Sequence, residues 1–505
     1  MVTPAREAVP NLVLANLRDA HALTQEEVAD RLNEMAFEET GKHDNVTPTT
    51  VSKWERGLIE RPTPARRRRL ARLYGVSISD LGFDRPRPVP EQARPAEPTA
   101  ATPDALWPPP LDAVPPGVDQ RVVGSHREWC LVRRGLNEHR SELTAIAARL
   151  HRACLRVGRT PLLTREDWML PVPVELADVS LAWVDDPPPP LVTGMEREAS
   201  RVRPLLSPTS RYRRYTHAIR ELVRPGLFEN RLSYRLLGVD WTAGGGGRLV
   251  FGPTTYFDML DVCEAVAHEL AAAHLRLTPT GTRFHKASWR GQPFRKRIGD
   301  PFELGRRPLL PSIITLTLRR SGSSASFLLH QRDSEQVAVA GSLFHVIPTG
   351  VFQPSAISPH VRAHDFDLWR CMLREYSEEF LGNLEHDGNA STPIDYDHQE
   401  PFRSLNQARR EKRVRAYCFG IGLDPLTLCG EILTAVVIDD AVFDQVFAEL
   451  VQSNNEGAIV TGPSGRGIAL TEDNVDRLVT SEPMAPSGAA CLELAWRHRE
   501  LLLRD

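Results

Sequence analysis

LTQEEVADRLNEMAFEETGKHDNVTPTTVSKWERG, residues 23–57, decides how this chain is read. Its first half opens like a helix. Thr24 is a good N-cap, and Glu27 three residues on completes a capping box. Val28, Leu32 and Met35 recur at helical spacing, which predicts a buried stripe on one face. The second half repeats the grammar. Thr47 can cap, Pro48 suits the first turn and Gly57 stops the helix. Val51 and Trp54 share the inner face. Thr49, Thr50, Ser52, Lys53 and Arg56 are left on the other faces. Short polar and basic side chains along one helix suit base edges and phosphates in a major groove.

Downstream, Arg61, Arg66–Arg69 and Arg72 form an arginine run with no acid inside it. Leu70, Leu73 and Tyr74 are the expected core stripe of that helix. The arginines are expected to add phosphate contacts, which position a protein without specifying sequence. L-T-Q-E-E-V-A-D-R-L followed by T-V-S-K-W-E-R-G resembles the Cro-repressor-like (XRE) helix-turn-helix family. The resemblance implies an all-α domain over residues 1–83, double-stranded DNA as partner, and Gln25 on a backbone phosphate. Asn33–Asn45 is longer than the connection usual in that family. A homodimer is expected, because such readers often bind paired half-sites.

Residues 84–118 are close to a third proline, which predicts a disordered, extended spacer. The chain as a whole is ordinary. Its 505 residues predict about three domains. A net charge of −3 excludes a uniformly cationic coat but allows a local basic patch. The seven cysteines include no C-x-x-C pair, so a zinc ribbon is not expected and reduced thiols are. No signal-like segment or membrane-length apolar run stands out, so a cytoplasmic protein with no membrane partner is expected.

Residues 119–300 read as a mixed α/β region of unassigned role. Gly244–Gly247 precedes a strand and lacks a following Lys-Ser/Thr, so it is read as a hairpin turn and not a phosphate loop. His268-Glu269 is followed by His274, six residues after His268. A zinc protease needs a spacing of four on one helix face, so that chemistry is excluded. His268, Asp261 and Glu264 are read as a structural polar cluster.

Residues 301–505 begin with strands, SIITLTLRR and ASFLLHQRD, joined by a hairpin signature. DFDLWRCMLREYSEEFLG then reads as a helix with Phe366, Trp369, Leu373, Tyr376 and Phe380 on one stripe. Glu375, Glu378 and Glu379 fall at i, i+3 and i+4 and converge on another face. Clustered carboxylates repel unless a cation offsets them, and hard oxygen ligands suit Mg²⁺ or Mn²⁺. R-E-Y-S-E-E-F-L-G resembles the core of the Nudix box. That resemblance implies an α/β Nudix-like domain in which Glu375, Glu378 and Glu379 hold metal and Arg374 orients them, as the catalytic set. Two features depart from the box. Its first Gly and Glu positions hold His360 and Phe366, and its closing E-E-x-G carries one extra residue before Gly382. Gly350, in the Pro348-Thr349-Gly350 turn, is the expected loop glycine, and Glu456 is a candidate late acid.

The sequence therefore predicts a multidomain chain: helix-turn-helix, proline-rich linker, mixed α/β region and Nudix-like domain. The expected function is a DNA-binding transcriptional regulator whose Nudix-like domain senses a nucleotide-derived small molecule. The alternative is a metal-dependent hydrolase of nucleoside diphosphate derivatives that the helix-turn-helix merely localises. The residues leave open whether that domain turns its ligand over.

Overall fold

A computed structural model describes residues 11–83 and 119–504. Within these, residues 12, 15–16, 19–20, 22, 41–43, 45, 57–61, 75–80, 82, 226–227, 243–244, 279–280, 333–342, 357, 384–392, 449, 451–456 and 461–466 are not described. The expected linker lies outside the described residues, as do Gly57, Arg61, Gly244 and Glu456. Contacts divide the chain into two units, Met1–Thr102 and Pro103–Asp505.

In the smaller unit the local signals act as expected. Helix α1 is Gln25–Thr40, α2 is Pro48–Glu55 and α3 is Pro64–Tyr74. The Thr24 backbone N–H donates to the Glu27 carboxylate at 2.7 Å, and Glu27 N–H donates back to Thr24 Oγ1 at 3.1 Å. Thr47 and Thr50 form the equivalent box on α2, with Pro48 in its first turn. Val28, Leu32, Val51, Trp54, Leu70 and Tyr74 meet in one core. Met35 is only half-buried, and the small side chains of Ala29 and Ala36 fill that face.

The larger unit is built on a seven-stranded mixed sheet. We label its relevant strands β1 (Met169–Glu175), β2 (Val179–Trp183), β3 (Leu232–Trp241), β4 (Gly247–Thr255), β5 (Leu275–Thr278), β6 (Gly281–Phe284), β7 (Pro311–Ser321), β8 (Ser324–Phe327), β9 (Thr349–Val351), β10 (Val414–Leu423), β11 (Gly430–Asp439) and β12 (Ile468–Ala469). The large sheet runs β1-β10-β11-β7-β8-β12, with β9 also on β7. The β7–β11 pair is parallel, and the other pairs are antiparallel. The Ser321–Ser324 connection makes the expected hairpin.

Helix labels continue with α4 (Gln120–Glu138), α5 (Arg140–Ala148), α6 (Tyr215–Leu222), α7 (Tyr256–His274), α8 (Pro293–Ile298), α9 (Leu368–Glu375) and α10 (Pro486–Arg497). Side chains alternate across the sheet. Ile314, Leu316, Leu318, Leu433, Ala435 and Val437 pack with α10. Ile313, Ile432, Val436 and Ile438 share the opposite core with α9. The result is three layers, helix on sheet on helix.

The boundary drawn at residue 300 does not separate two bodies. Strand β1 comes from the middle region yet pairs with β10, Val174 opposite Cys418. One core cluster runs from Trp129 to Ile459. The middle region adds a small sheet, β2-β4-β3, and the largely buried α7. Gly245 and Gly246 lie in the β3–β4 turn, with Trp241 opposite Gly247. Gly245 and Gly246 take φ of 90° and 91° there, a conformation that glycine adopts without strain.

His268, Glu269 and His274 each serve a different partner. The His268 Nδ1 meets the Tyr215 hydroxyl at 2.9 Å, and its ring stacks on Trp129. The Glu269 carboxylate accepts the N–H groups of Phe294 and Arg295, both at 2.8 Å, at the start of α8. His274 accepts from the Ser288 N–H through Nε2. Glu264 joins α7 to α4 and α5, accepting from Arg133 at 2.8 Å and Arg140 at 3.2 Å. These are the structural polar contacts expected for that helix.

Burial, with the Arg133 cation nearby, pushes the His268 pKa down to about 3. The unfolded chain therefore takes up this proton first as pH falls. Stability should be lost from about pH 6.5 downward, by about 2 kcal/mol per such histidine at pH 5. Denaturant unfolding of His268→Phe should show a shallower loss between those pH values than wild type. Equal slopes would refute a buried neutral imidazole.

Candidate nucleic-acid interface

Thr49, Lys53 and Arg56 are exposed, and Ser52 is half-buried. Their 3- and 4-residue spacing puts them on one side of α2. Val51 and Trp54 are buried on the other side. Thr50 is also half-buried, but its hydroxyl is spent on the cap, 2.9 Å from Thr47 Oγ1. The outward face is therefore a hydroxyl, a second half-covered hydroxyl and two cations. Such a face can meet base edges and phosphates.

What aims this face was not read from the sequence. Glu55 ends α2 and is buried. Its carboxylate accepts from Arg18 Nε at 2.7 Å and from Gln25 Nε2 at 2.7 Å. Its backbone carbonyl accepts the Asn11 N–H at 2.6 Å. Gln25, expected on a phosphate, thus has a partner inside the domain that ties the start of α1 to the end of α2. The available signal was an acid set between Trp54 and Arg56, whose side chains go to opposite environments.

The connection expected over Asn33–Asn45 is shorter than that, because Asn33–Thr40 continue α1. The stretch that leads from α1 into α2 is anchored twice. The Asn33 side chain donates to Val46 O at 2.8 Å and accepts from Val46 N–H at 2.9 Å. Asp44 accepts from Arg66 Nε at 3.1 Å and from Arg69 Nη1 at 2.8 Å. Arg66 also lies over the Trp54 ring, 5.9 Å from its centre. The arginine run is therefore divided. Arg66 and Arg69 brace the domain from within, while Arg68 and Arg72 are exposed.

The acidic cluster of the larger unit sits elsewhere. Helix α9 passes into a π-turn, Tyr376–Phe380. A π-turn holds one more residue than an α-turn, and it falls beside the extra residue before Gly382. Trp369, Leu373, Tyr376 and Phe380 are buried as the stripe predicts, and Phe366 packs against the same core. Glu375 and Glu379 both reach β9. A Cβ on Gly350 would fall inside the Glu375 carboxylate. Glu379 is buried and accepts from the Thr349 N–H at 3.3 Å. Glu375 and Glu378 are half-buried. Arg374 is buried, donating to the Tyr396 hydroxyl at 2.8 Å and Gln353 O at 2.6 Å, with Asp365 at 3.5 Å. Its guanidinium is thus spent on the Tyr396, Gln353 and Asp365 framework. Among the described residues no three His, Cys, Asp or Glu side chains form a group that could hold a metal ion.

Residues 12–81 match the model of a family described as a helix-turn-helix domain. No curated protein matches the chain. The N-terminal unit is thus a helix-turn-helix domain, and it supports a DNA-binding regulatory role. No helix among the described residues is long and apolar enough to cross a membrane.

Glu55→Ala should remove both side-chain ties to α1 and lower the stability of this unit by about 1.5–3 kcal/mol. Hydrogen exchange on the full chain should show faster exchange in α2 and unchanged protection in β7 and β11. Unaltered exchange in α2 would discount Glu55 as the clamp.

Proposed function

We propose that this chain is a cytoplasmic transcriptional regulator of the XRE type that reads duplex DNA as a homodimer through α2. The observation that carries the reading is the exposed Thr49, Lys53 and Arg56 face on a helix clamped at Glu55, inside the segment that matches a helix-turn-helix family. Selection from a pool of random duplexes should enrich two related half-sites about one helical turn, or a multiple of it, apart. Lys53→Ala with Arg56→Ala should lose the enrichment. A wild-type chain that enriches no motif at low salt sinks this reading.

We further propose that the larger unit is Nudix-like and senses a nucleotide-derived ligand near the β9–α9 junction. Its support is the three-layer arrangement, the Arg374 framework and the meeting of Glu375 and Glu379 with Gly350 and Thr349. The extension to Mg²⁺ or Mn²⁺ at Glu375, Glu378 and Glu379 rests on the carboxylate spacing. A second reading, metal-dependent hydrolysis, is favoured by the partial exposure of Glu375 and Glu378. A thermal-shift screen of nucleotides and nucleotide sugars, with and without Mg²⁺, separates these readings. Sensing predicts a raised melting temperature without turnover. Hydrolysis predicts release of a mononucleotide that Glu378→Gln and Glu379→Gln abolish. No shift and no product would leave the larger unit without either role.

A further inference from the structure

The stretch from Leu270 to Gly299 holds seven Lys or Arg residues and no Asp or Glu, in a chain whose net charge is −3. Much of it is displayed. Strands β5 and β6 form a hairpin of their own, with Arg276 directly opposite Arg283. Like charges facing each other across a strand pair repel. Both arginines are exposed, as are Lys286 and Arg290. None of the four enters an ion pair among the described residues. Arg276 is set over the end of α7 by the carbonyls of Ala272 and Leu275, at 3.0 and 2.9 Å.

The following segment is laced to the root of the hairpin. His285 N–H donates to His274 O at 2.9 Å, and Ser288 N–H donates to His274 Nε2 at 3.2 Å. Lys286 and Arg290 are thereby held near the paired arginines. Trp289 meets His151 edge-on at 5.9 Å, in a segment where Arg149 and Arg152 are also exposed. Glu142 approaches the hairpin through His139, which meets Thr282 beside the turn. Four exposed cations, two of them facing each other across the strands and none in an ion pair among the described residues, call for a polyanion.

We propose that this surface of the larger unit binds the phosphate backbone of duplex DNA without regard to sequence, as a second contact separate from α2. A membrane surface fits less well. Membrane-surface segments couple their cations to a broad apolar face. Here Phe284 is the one large apolar side chain of residues 270–299 that is exposed among the described residues. The choice of DNA over other polyanions rests on the helix-turn-helix reading, but the two fail in different experiments.

The test uses the full chain and a labelled random-sequence duplex, with binding followed by anisotropy from about 50 to 200 mM salt. The quadruple variant Arg276→Gln, Arg283→Gln, Lys286→Gln, Arg290→Gln should bind at least about tenfold more weakly at the low-salt end. Its log affinity against log salt should be shallower by about 3–4, one contact per removed cation. Any motif selected from random duplexes should stay the same. Lys53→Ala with Arg56→Ala should do the reverse, losing the motif while keeping random-duplex binding. The charge-keeping variant Arg276→Lys, Arg283→Lys should retain the wild-type slope, and all variants should melt with wild type. An unchanged slope in the quadruple variant overturns the proposal. So does loss of all duplex binding in Lys53→Ala, Arg56→Ala, or wild-type binding to phosphatidylserine vesicles with none to duplex. A wild type that selects no motif, with the slope difference intact, defeats the helix-turn-helix reading alone.

Discussion

Strands β7 and β11 lie side by side in parallel and are apolar on both faces. A parallel pair cannot be closed by a tight turn, and a sheet buried on both sides needs cover on both. The chain between the two strands contributes α9 and its π-turn to one face, and α10 covers the other from beyond β11. The edge of β10 is closed by β1, which arrives from the middle region. Removing that region would expose a strand edge and half a core. This constraint makes one body of residues that read as two.

Charge in the smaller unit answers to burial before it answers to DNA. Asp44 takes two arginines of the run, and Glu55 takes Arg18 and Gln25. Both acids hold α2 in place, one through the connection that precedes it and one at its C-terminal end. The cations left outward on α2 are Lys53 and Arg56. Counting positive charges in sequence therefore overstates the electrostatic footprint, whereas asking which cations have acidic partners identifies it.

The legible features were those set by neighbours in sequence. Thr24 with Glu27, Thr47 with Pro48, and the Val51–Trp54 and Trp369–Phe380 stripes depend on residues within a few turns of one another. The Ser321–Ser324 hairpin and the glycine turn before β4 are equally local. The illegible features depend on distant partners: Asp44 with Arg66, Glu55 with Arg18, Val174 opposite Cys418. The acidic cluster falls between these cases. Its spacing was plain, but its surroundings were not. Gly350, read as a loop glycine, lies in a strand, and its missing side chain makes room for the Glu375 carboxylate. The extra residue beside the box looked like a defect and sits next to a π-turn. No sequence rule tells whether such an insertion widens a helix turn or lengthens a loop.

A second phosphate surface changes what a regulator can do with its larger unit. Backbone contacts raise affinity for every duplex alike, while discrimination comes from base edges. Cations on β5 and β6 would therefore set how long the chain stays on DNA, and α2 would set where. The hairpin grows from the end of α7, whose Glu264 is tied to α4 and α5. A ligand that shifted those helices would act first on the sequence-independent term. Occupancy would then change across all sites in proportion, with the order of preference among them preserved. A ligand acting through the α2 clamp would instead reorder that preference, because it would move the side chains that read bases.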